Sequence, residues 1–308
     1  MNESGHVPFP LETIIVPSNV HQVRLSDYAF YTFNNYLPSR KSVKKALKKD
    51  RIYLNGKVGY SGDYVNTGMK IELYAEQNVN YKPFDLELKV LYEDDYLAVV
   101  NKPAGIPVSG NYFKTIQNAL KVNLNRSSVQ DTLPSPLPVH RLDALTSGCL
   151  LIAKTKATQI NLGKQFENRQ ISKKYVAIVS GKTPIEGLVA LDIQSQNATT
   201  TFKLNVVSPS LTYGYLSLIQ LKPISGRTHQ LRIHCASMNH PIIGDKLYSK
   251  NTKLLKGKGL FLNAHELIFK HPILDKKVSV VSPLPSKFQS YLNREQNRAE
   301  KFNKTTPI

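Results

Sequence analysis

The sequence predicts an α+β fold of two domains, the larger one built around a mixed, largely antiparallel central sheet. At 308 residues the chain has room for about two domains. Its composition changes once, near residues 76–83, where a short lysine-rich segment gives way to a longer mixed one. In the longer segment, strand-like pieces outnumber helix-like ones and follow one another without regular helices between them. This order argues against a doubly wound parallel sheet.

Four regions are expected along the chain. Residues 1–19 contain three prolines and little periodicity, so we expect an irregular N-terminal arm. Residues 20–78 form the small domain and residues 79–292 the large one. Residues 293–308 are polar and predict a tail or a frayed helix.

A basic helix dominates the small domain. Ser39 predicts its start and Asp50 its end, before strands over residues 51–54 and 69–74. Eight Lys or Arg stand against one acid within residues 40–57, which favours phosphate binding over a merely solvated helix face. The residues expected to bind RNA are Arg40, Lys41, Lys44, Lys45, Lys48 and Lys49.

The order of these signals, SRKSVKKALKKDRIYLNGKV (39–58) followed by NTGMKIELY (66–74), resembles the S4 RNA-binding domain. The resemblance covers about residues 24–75. It implies a pair of helices packed on a short sheet, with RNA as the ligand.

The overall charge also indicates a polyanionic partner. Lys and Arg total 41 against 22 Asp and Glu, a formal net charge of +19. Such a field makes nucleic acid the first partner to consider and a membrane surface the second. No run approaches the ~18 apolar residues of a membrane span, so no membrane is expected. Two cysteines without a CxxC pair fit a reducing cytoplasm. A monomer is also expected.

The large domain alternates strand-like and helix-like pieces. Strands are predicted over 88–92, 97–101, 149–153, 174–179, 200–207 and 215–221. Helices are predicted over 116–122, 157–166 and 228–238, the last with Thr228 as its cap.

The most informative segment is HRLDALTSGCLLIAK, residues 140–154. It places Asp143 in a polar turn directly before a buried apolar strand, so a rigid element holds its carboxylate. Taken alone, such an aspartate more often bonds its own turn. The whole string favours a catalytic role.

The same string resembles the active-site motif of RluA-type RNA pseudouridine synthases. Three more stretches resemble this family in the same order: VLYEDDYLAVVNKPAGIPV (90–108), KKYVAIVSGK (173–182) and GRTHQLRIHCASMNHPIIGDKLYS (226–249). The resemblance spans about residues 86–285 and implies the pseudouridine synthase fold. It also implies an isomerase, an intramolecular transferase that detaches uracil from ribose, rotates it and reattaches it through carbon 5.

The residue types suit that reaction. Cleaving a glycosidic bond builds positive character on the sugar, so an ionised carboxylate is needed near the ribose, and Asp143 is the candidate. Whether it attacks the ribose, attacks the base or removes a ribose proton is open. The resemblance implies that Arg232 is its cationic partner. It also implies that the Tyr175 ring stacks on the uracil and that its hydroxyl is a candidate to accept the carbon 5 proton.

Further residues are expected to contact the substrate. The target uridine must leave its stack, at a cost of a few kcal/mol, and Arg141 is expected to meet the displaced nucleotide or its neighbours. Leu231 is expected to pack at the edge of the site, and Thr146 belongs to the same motif. His140 is expected to pack or to bond backbone there rather than to react. The turn at 226–229 is alternatively a phosphate-binding helix start.

No cofactor is expected. His229, His234, Cys235 and His240 lie within twelve residues, but their spacing does not suit a zinc site, and no second ligand pair accompanies them. The GxxxxGK[ST] and GxGxxG motifs are absent from the sequence, so ATP and dinucleotide chemistry are not expected.

The favoured function is a cofactor-free pseudouridine synthase acting on ribosomal RNA. A transfer RNA target is an alternative, because related enzymes divide among substrates. A non-catalytic RNA-binding or ribosome-assembly protein is a second alternative, since the basic helix alone would support it. A nucleic-acid glycosylase, which shares the extruded base and the carboxylate, is a third.

Overall fold

A computed structural model describes residues 10–74, 83–249 and 257–305 of the chain. Contacts between residues divide the chain into two compact units, Met1–Tyr81 and Lys82–Ile308. The predicted boundary between residues 78 and 79 lies outside the described residues. In the described part of the chain, no helix is long and apolar enough to cross a membrane.

In residues 10–74, the described part of the first unit, two helices pack with a small antiparallel sheet. Its elements are β1 (Pro10–Ile15), β2 (Val23–Arg24), α1 (Leu25–Thr32), α2 (Arg40–Lys48), β3 (Ile52–Leu54), β4 (Lys57–Val58), β5 (Tyr64–Val65) and β6 (Lys70–Tyr74). The four-stranded sheet has the order β1-β6-β3-β4, and β2 pairs with β5. The helices α1 and α2 pack against each other over a core that includes Leu25, Phe33 and Ile52.

Helix α2 begins where the sequence predicts. The Ser42 amide donates to the Ser39 hydroxyl over 3.1 Å, and the Ser39 amide donates to the Ser42 hydroxyl over 3.0 Å. This reciprocal cap satisfies amides that have no partner within the helix. The apolar face, Val43, Ala46 and Leu47, is buried, so the lysines between them remain in solvent.

The expectation of an irregular arm is wrong for residues 10–15, which form a strand, whereas residues 16–19 are irregular. Strand β1 pairs antiparallel with β6, for example Ile14 with Ile71. Pro10 is the first residue of this edge strand, a position where its missing N–H is tolerated. Residues 1–9 of the predicted arm lie outside the described residues.

The described residues of the second unit form one ten-stranded sheet and four helices. Its elements are β7 (Lys89–Glu93), β8 (Leu97–Lys102), α3 (Ile116–Asn123), β9 (Thr132–Pro138), β10 (Ser147–Thr155), α4 (Lys156–Glu167), β11 (Ser172–Ser180), β12 (Glu186–Ala190), β13 (Thr199–Ser210), β14 (Gly214–Pro223), α5 (Gln230–Ser237), β15 (Leu262–Lys270), β16 (Lys277–Val281) and α6 (Ser286–Thr305). The strand order is β12-β13-β14-β11-β15-β10-β8-β7, with β16 beside β15 and β9 beside β10. Among the described strand pairs, only β10 with β15 is parallel, so the predicted α+β class with a mixed, largely antiparallel sheet is confirmed.

Of the two alternatives predicted for the C-terminal segment, the tail is wrong and the helix is observed, because residues 293–305 belong to α6. Leu292, Glu295 and Ala299 are buried at helical spacing, and α6 packs on β13. The Ser210 hydroxyl donates to the buried Glu295 carboxylate over 2.7 Å, which satisfies a charge that would otherwise oppose packing. Residues 306–308 lie outside the described residues.

Several strands of the large sheet begin or end close together, at one end of the sheet. The register pairs Lys102 at the end of β8 with Gly148 near the start of β10. Gly148 is level with Ala264 on β15, and Ala264 is level with Tyr175 on β11. Leu221, near the end of β14, pairs with Tyr175. The loop before β10 and the loop after β14 therefore lie at the same end of the sheet.

Candidate active site

A cleft of about 280 Å³ opens at this end of the sheet. The structure brings together, in its lining, every residue predicted to be catalytic or to contact the substrate: Asp143, Tyr175, Arg232, Arg141, Leu231, His140 and Thr146. They come from the loop before β10, from β11 and from α5.

Asp143 opens a tight turn that leads into β10. The Thr146 amide donates to the Asp143 carbonyl over 3.0 Å, and about one fifth of the Asp143 side chain is exposed. Gly148 then lets β10 approach β15, because a Cβ at this position would lie 2.2 Å from the Ala264 carbonyl oxygen and its φ is +111°. The Thr-Ser-Gly run thus fixes the strand that carries the aspartate turn.

A buried lysine holds this turn from behind. The Lys102 ammonium donates to the carbonyls of Pro103, Ala144 and Thr146, each over 2.9 Å. Burial lowers the pKa of Lys102 to about 8, although the Asp143 charge opposes the shift. Sequence reasoning did not select Lys102, because a lysine at the end of an apolar strand gives no local sign that it will turn inward.

Arg232 lies under the Asp143 carboxylate. Its Nη1 is 3.6 Å from Asp143 Oδ2, and only 3% of its side chain is exposed. Its Nε and Nη2 donate to the two Asp245 oxygens over 2.7 and 2.8 Å. Burial alone would lower the pKa of Arg232, but the hydrogen bonds and charge of Asp245 raise it above the ordinary value. The guanidinium is thus a fixed cation beside Asp143.

Asp245 is the anchor that sequence reasoning missed. Burial opposes its ionised form, yet hydrogen bonds from Arg232 and from the amides of Leu247 and Tyr248 lower its pKa. The Tyr248 ring also lies 5.1 Å from the Arg232 guanidinium carbon. In the sequence, Asp245 is visible only as a carboxylate thirteen residues after Arg232. This spacing alone does not show that the two side chains pair.

His229 completes the surroundings of Asp143. The helix α5 is shorter than predicted, because His229 and not Thr228 occupies the N-cap position. His229 adopts a left-handed φ of +56°, and its Nδ1 lies 2.9 Å from the Tyr248 hydroxyl. Its Nε2 lies 3.8 Å from Asp143 Oδ1. The imidazole and the Arg232 guanidinium therefore lie near different carboxylate oxygens.

Tyr175 lines the cleft from β11. Burial raises the pKa of its hydroxyl far above the ordinary value, and the Asp143 charge adds to the shift. The hydroxyl therefore keeps its proton at neutral pH. This environment suits a ring that stacks on a base better than it suits a phenolate base.

His140 bonds to the backbone. Its Nε2 accepts from the Leu151 amide over 2.9 Å, and its ring stacks on Phe166 with centroids 4.7 Å apart. Leu231 is buried in the core, and Thr146 is buried in the turn. Arg141 is exposed at the cleft.

The packing of His140 predicts acid sensitivity. Burial, with a contribution from the Lys173 charge, lowers the pKa of His140 to about 3, whereas an unfolded histidine has a pKa of about 6.5. Between these values the unfolded chain binds a proton that the folded chain excludes, so the free energy of unfolding decreases as the pH falls. By pH 4 the expected loss is about 3 kcal/mol.

Denaturant titrations of the wild type and of His140→Gln between pH 7 and pH 4 measure this effect. Glutamine can still accept the Leu151 hydrogen bond but does not titrate, so its stability should fall less with acid. His21→Gln, at an exposed position, serves as the control and should follow the wild type. Parallel curves for all three proteins would contradict the prediction.

The basic helix of the first unit presents its charges to solvent. Arg40, Lys41, Lys44, Lys45, Lys48 and Lys49 are all exposed. Arg40 pairs with Asp27 and lies over the Phe30 ring, so its side chain is held in place. The exposed positions of the lysines suit a surface that attracts phosphates.

The histidines weighed as zinc ligands have protein partners. His234 Nδ1 lies 2.9 Å from the Thr200 hydroxyl, and His240 Nδ1 lies 2.8 Å from the Ser180 carbonyl oxygen. Across residues 10–74, 83–249 and 257–305, no group of three potential ligands could hold a metal ion. The turn at 226–229 does not present all of its amides either, because the Arg227 amide donates to Gln230 Oε1 over 3.0 Å.

Comparisons with known proteins agree on one family. Residues 96–237 match the model of the RNA pseudouridylate synthase family. The chain is 32% identical over 278 residues to ribosomal large subunit pseudouridine synthase D of Xylella fastidiosa, covering 80% of this chain and 82% of the relative. Synthase C of Buchnera aphidicola is 32% identical, over 66% of this chain and 69% of the relative. The solved structure of human RNA pseudouridylate synthase domain containing 4 aligns with a TM-score of 0.56 at 27% identity, over 67% of this chain and 92% of that one.

Proposed function

Since this chain belongs to the RluA-type family of RNA pseudouridine synthases, we propose that Asp143 carries its reaction and that its target is a uridine of ribosomal RNA. The protein is an isomerase that converts uridine in RNA to pseudouridine. The observation that carries the assignment to Asp143 is its carboxylate 3.6 Å from the buried Arg232 guanidinium, within the cleft.

The surroundings of Asp143 support this chemistry. When the glycosidic bond breaks, the ribose gains positive character and the departing uracil gains negative charge. The Asp143 carboxylate faces the ribose in the extruded nucleotide, and the buried Arg232 guanidinium lies 3.6 Å from it as a fixed opposite charge. The Tyr175 ring supplies a flat apolar wall on which the uracil stacks while it rotates. Arg141, at the exposed rim, meets the displaced nucleotide.

The assignment to ribosomal RNA is supported by the relatives. Those of Xylella fastidiosa and Buchnera aphidicola are both named for the large ribosomal subunit. The first unit supports it as well, because its helix pair and small sheet are the elements expected of an S4-like domain. We assign RNA binding to the exposed basic residues of α2 and to Lys49, where the charge attracts phosphates without selecting a sequence.

Tritium release tests the proposed function. Ribosomal and transfer RNA labelled with tritium at carbon 5 of uridine are incubated with the purified full-length protein, because reattachment through carbon 5 liberates that tritium. We expect release from ribosomal RNA of cells that lack the protein and none from wild-type RNA that is already modified. Release from transfer RNA alone would overturn the target. Free uracil among the products would instead indicate a glycosylase.

A further inference from the structure

Lys173 presents a cation to the cleft that the proposed reaction does not use. It lies two residues before Tyr175 on β11, and alternation along the strand places both on the face that lines the cleft. Its ammonium lies 3.3 Å from the Ser225 carbonyl oxygen. Among the described residues no carboxylate forms an ion pair with Lys173. Burial lowers the pKa of its ammonium group.

The neighbouring Lys174 shows how a lysine of this strand is normally satisfied. Its side chain points to the opposite face and pairs with the Glu266 carboxylate on β15. Charge and hydrogen bonding from Lys174 lower the pKa of Glu266. The two adjacent lysines therefore differ, because Lys174 has an anionic partner and Lys173 faces the cleft with no carboxylate partner in the described part of the chain.

The cleft around Lys173 is positive. Asp143 is the one carboxylate among the described residues that line it, and it faces Arg232 and His229. Arg141 and Arg227 line the same cleft, and neither forms an ion pair with a described carboxylate. The Arg227 Nε donates to the Asn197 carbonyl over 3.4 Å. After Asp143 is paired, cationic side chains remain in excess beside Lys173.

We infer that Lys173 binds a phosphodiester group of the RNA that adjoins the target nucleotide. This inference rests on the proposed function and deepens it. An extruded uridine brings a neutral base and two flanking phosphates, and only the phosphates match a partly buried ammonium that lacks an anion. The contact compensates the desolvation of Lys173 and holds the nucleotide while the base moves against Tyr175. The flanking phosphate thereby completes the site.

Kinetics of matched lysine variants test the inference. Lys173→Met removes the charge but keeps the length of the side chain, and Lys174→Met removes the adjacent charge on the other face. With a tritiated ribosomal RNA transcript at about 100 mM salt, we expect Lys173→Met to raise KM at least fivefold and to change kcat less than twofold. The slope of log affinity against log salt should decrease by about one. Lys174→Met should match the wild type.

Two results would overturn the inference. If Lys173→Met leaves KM and the salt slope unchanged, no phosphate is bound there. If kcat falls while the salt slope stays constant, Lys173 acts on the base or the ribose. Either result leaves wild-type tritium release intact, so failure of this inference is distinct from failure of the proposed function.

A substrate change identifies which phosphate is bound. A synthetic stem-loop that the wild-type enzyme converts is prepared with a neutral methylphosphonate on the 5′ side or on the 3′ side of the target uridine. We expect one of the two to raise KM as much as Lys173→Met does, with no further increase when both changes are combined. Independent, additive losses for both linkages would contradict direct contact with either phosphate.

Discussion

Replacing Asp143 with asparagine is expected to decrease conversion of uridine by at least about 10³-fold while RNA binding changes less than threefold. Asparagine has the same shape, and the hydrogen bond from the Thr146 amide uses the backbone carbonyl of residue 143. The turn therefore stays, and only the negative charge disappears. Without that charge nothing in the cleft balances the positive character of the ribose, because the remaining charged groups of its described lining are cationic.

Tritium release and filter binding on the same RNA separate the two effects. Asp192→Asn, at an exposed position of the same unit outside the cleft lining, is the matched control and should retain full conversion. If Asp143→Asn keeps more than a tenth of the wild-type rate, the carboxylate does not carry the reaction. If the variant loses RNA binding in proportion to its rate, residue 143 acts in binding instead.

The strands that hold the site were largely predictable from the sequence. Alternation and apolar runs placed β8, β10 and β11 close to their observed bounds, and the Ser39 cap placed α2. The central strand β15 was not predicted. Its residues Asn263 and Glu266 interrupt the apolar pattern, because they bond to Ser147 and Lys174.

The convergence of the cleft was less predictable, because it depends on contacts between distant parts of the chain. Asp143 and Arg232 are 89 positions apart in sequence, and the family resemblance alone suggested that they meet. Asp245 acts through its hydrogen bonds to Arg232, and Lys102 acts through hydrogen bonds to three backbone carbonyls. No local sequence pattern identifies these partners. Helix α6 carried a signal in Leu292 and Ala299, which are seven positions apart, but the polar residues between them left a tail and a frayed helix as alternatives.

Replacing Asp245 with asparagine is expected to destabilise the second unit by about 3–5 kcal/mol and to lower its unfolding temperature by about 10 °C. Asparagine can still accept from the Leu247 amide, but it removes the charge that Arg232 meets with two hydrogen bonds. A guanidinium that is 3% exposed would then lack its buried counterion. It can regain one by rotating onto Asp143, which would occupy the carboxylate that faces the ribose. We therefore expect kcat to fall at least tenfold even where the variant is folded.

Thermal unfolding and single-turnover conversion at a temperature well below the transition measure the two consequences separately. Asp275→Asn is the control, because Asp275 pairs with Lys270 on the surface with 80% of its side chain exposed. A pair so exposed contributes about 0–1 kcal/mol, so its loss should move the unfolding temperature by less than about 2 °C. A folded Asp245→Asn variant with the wild-type rate would show that Arg232 keeps its place without this anchor. The orientation of the cation beside Asp143 would then come from the Tyr248 ring and the walls of the cleft.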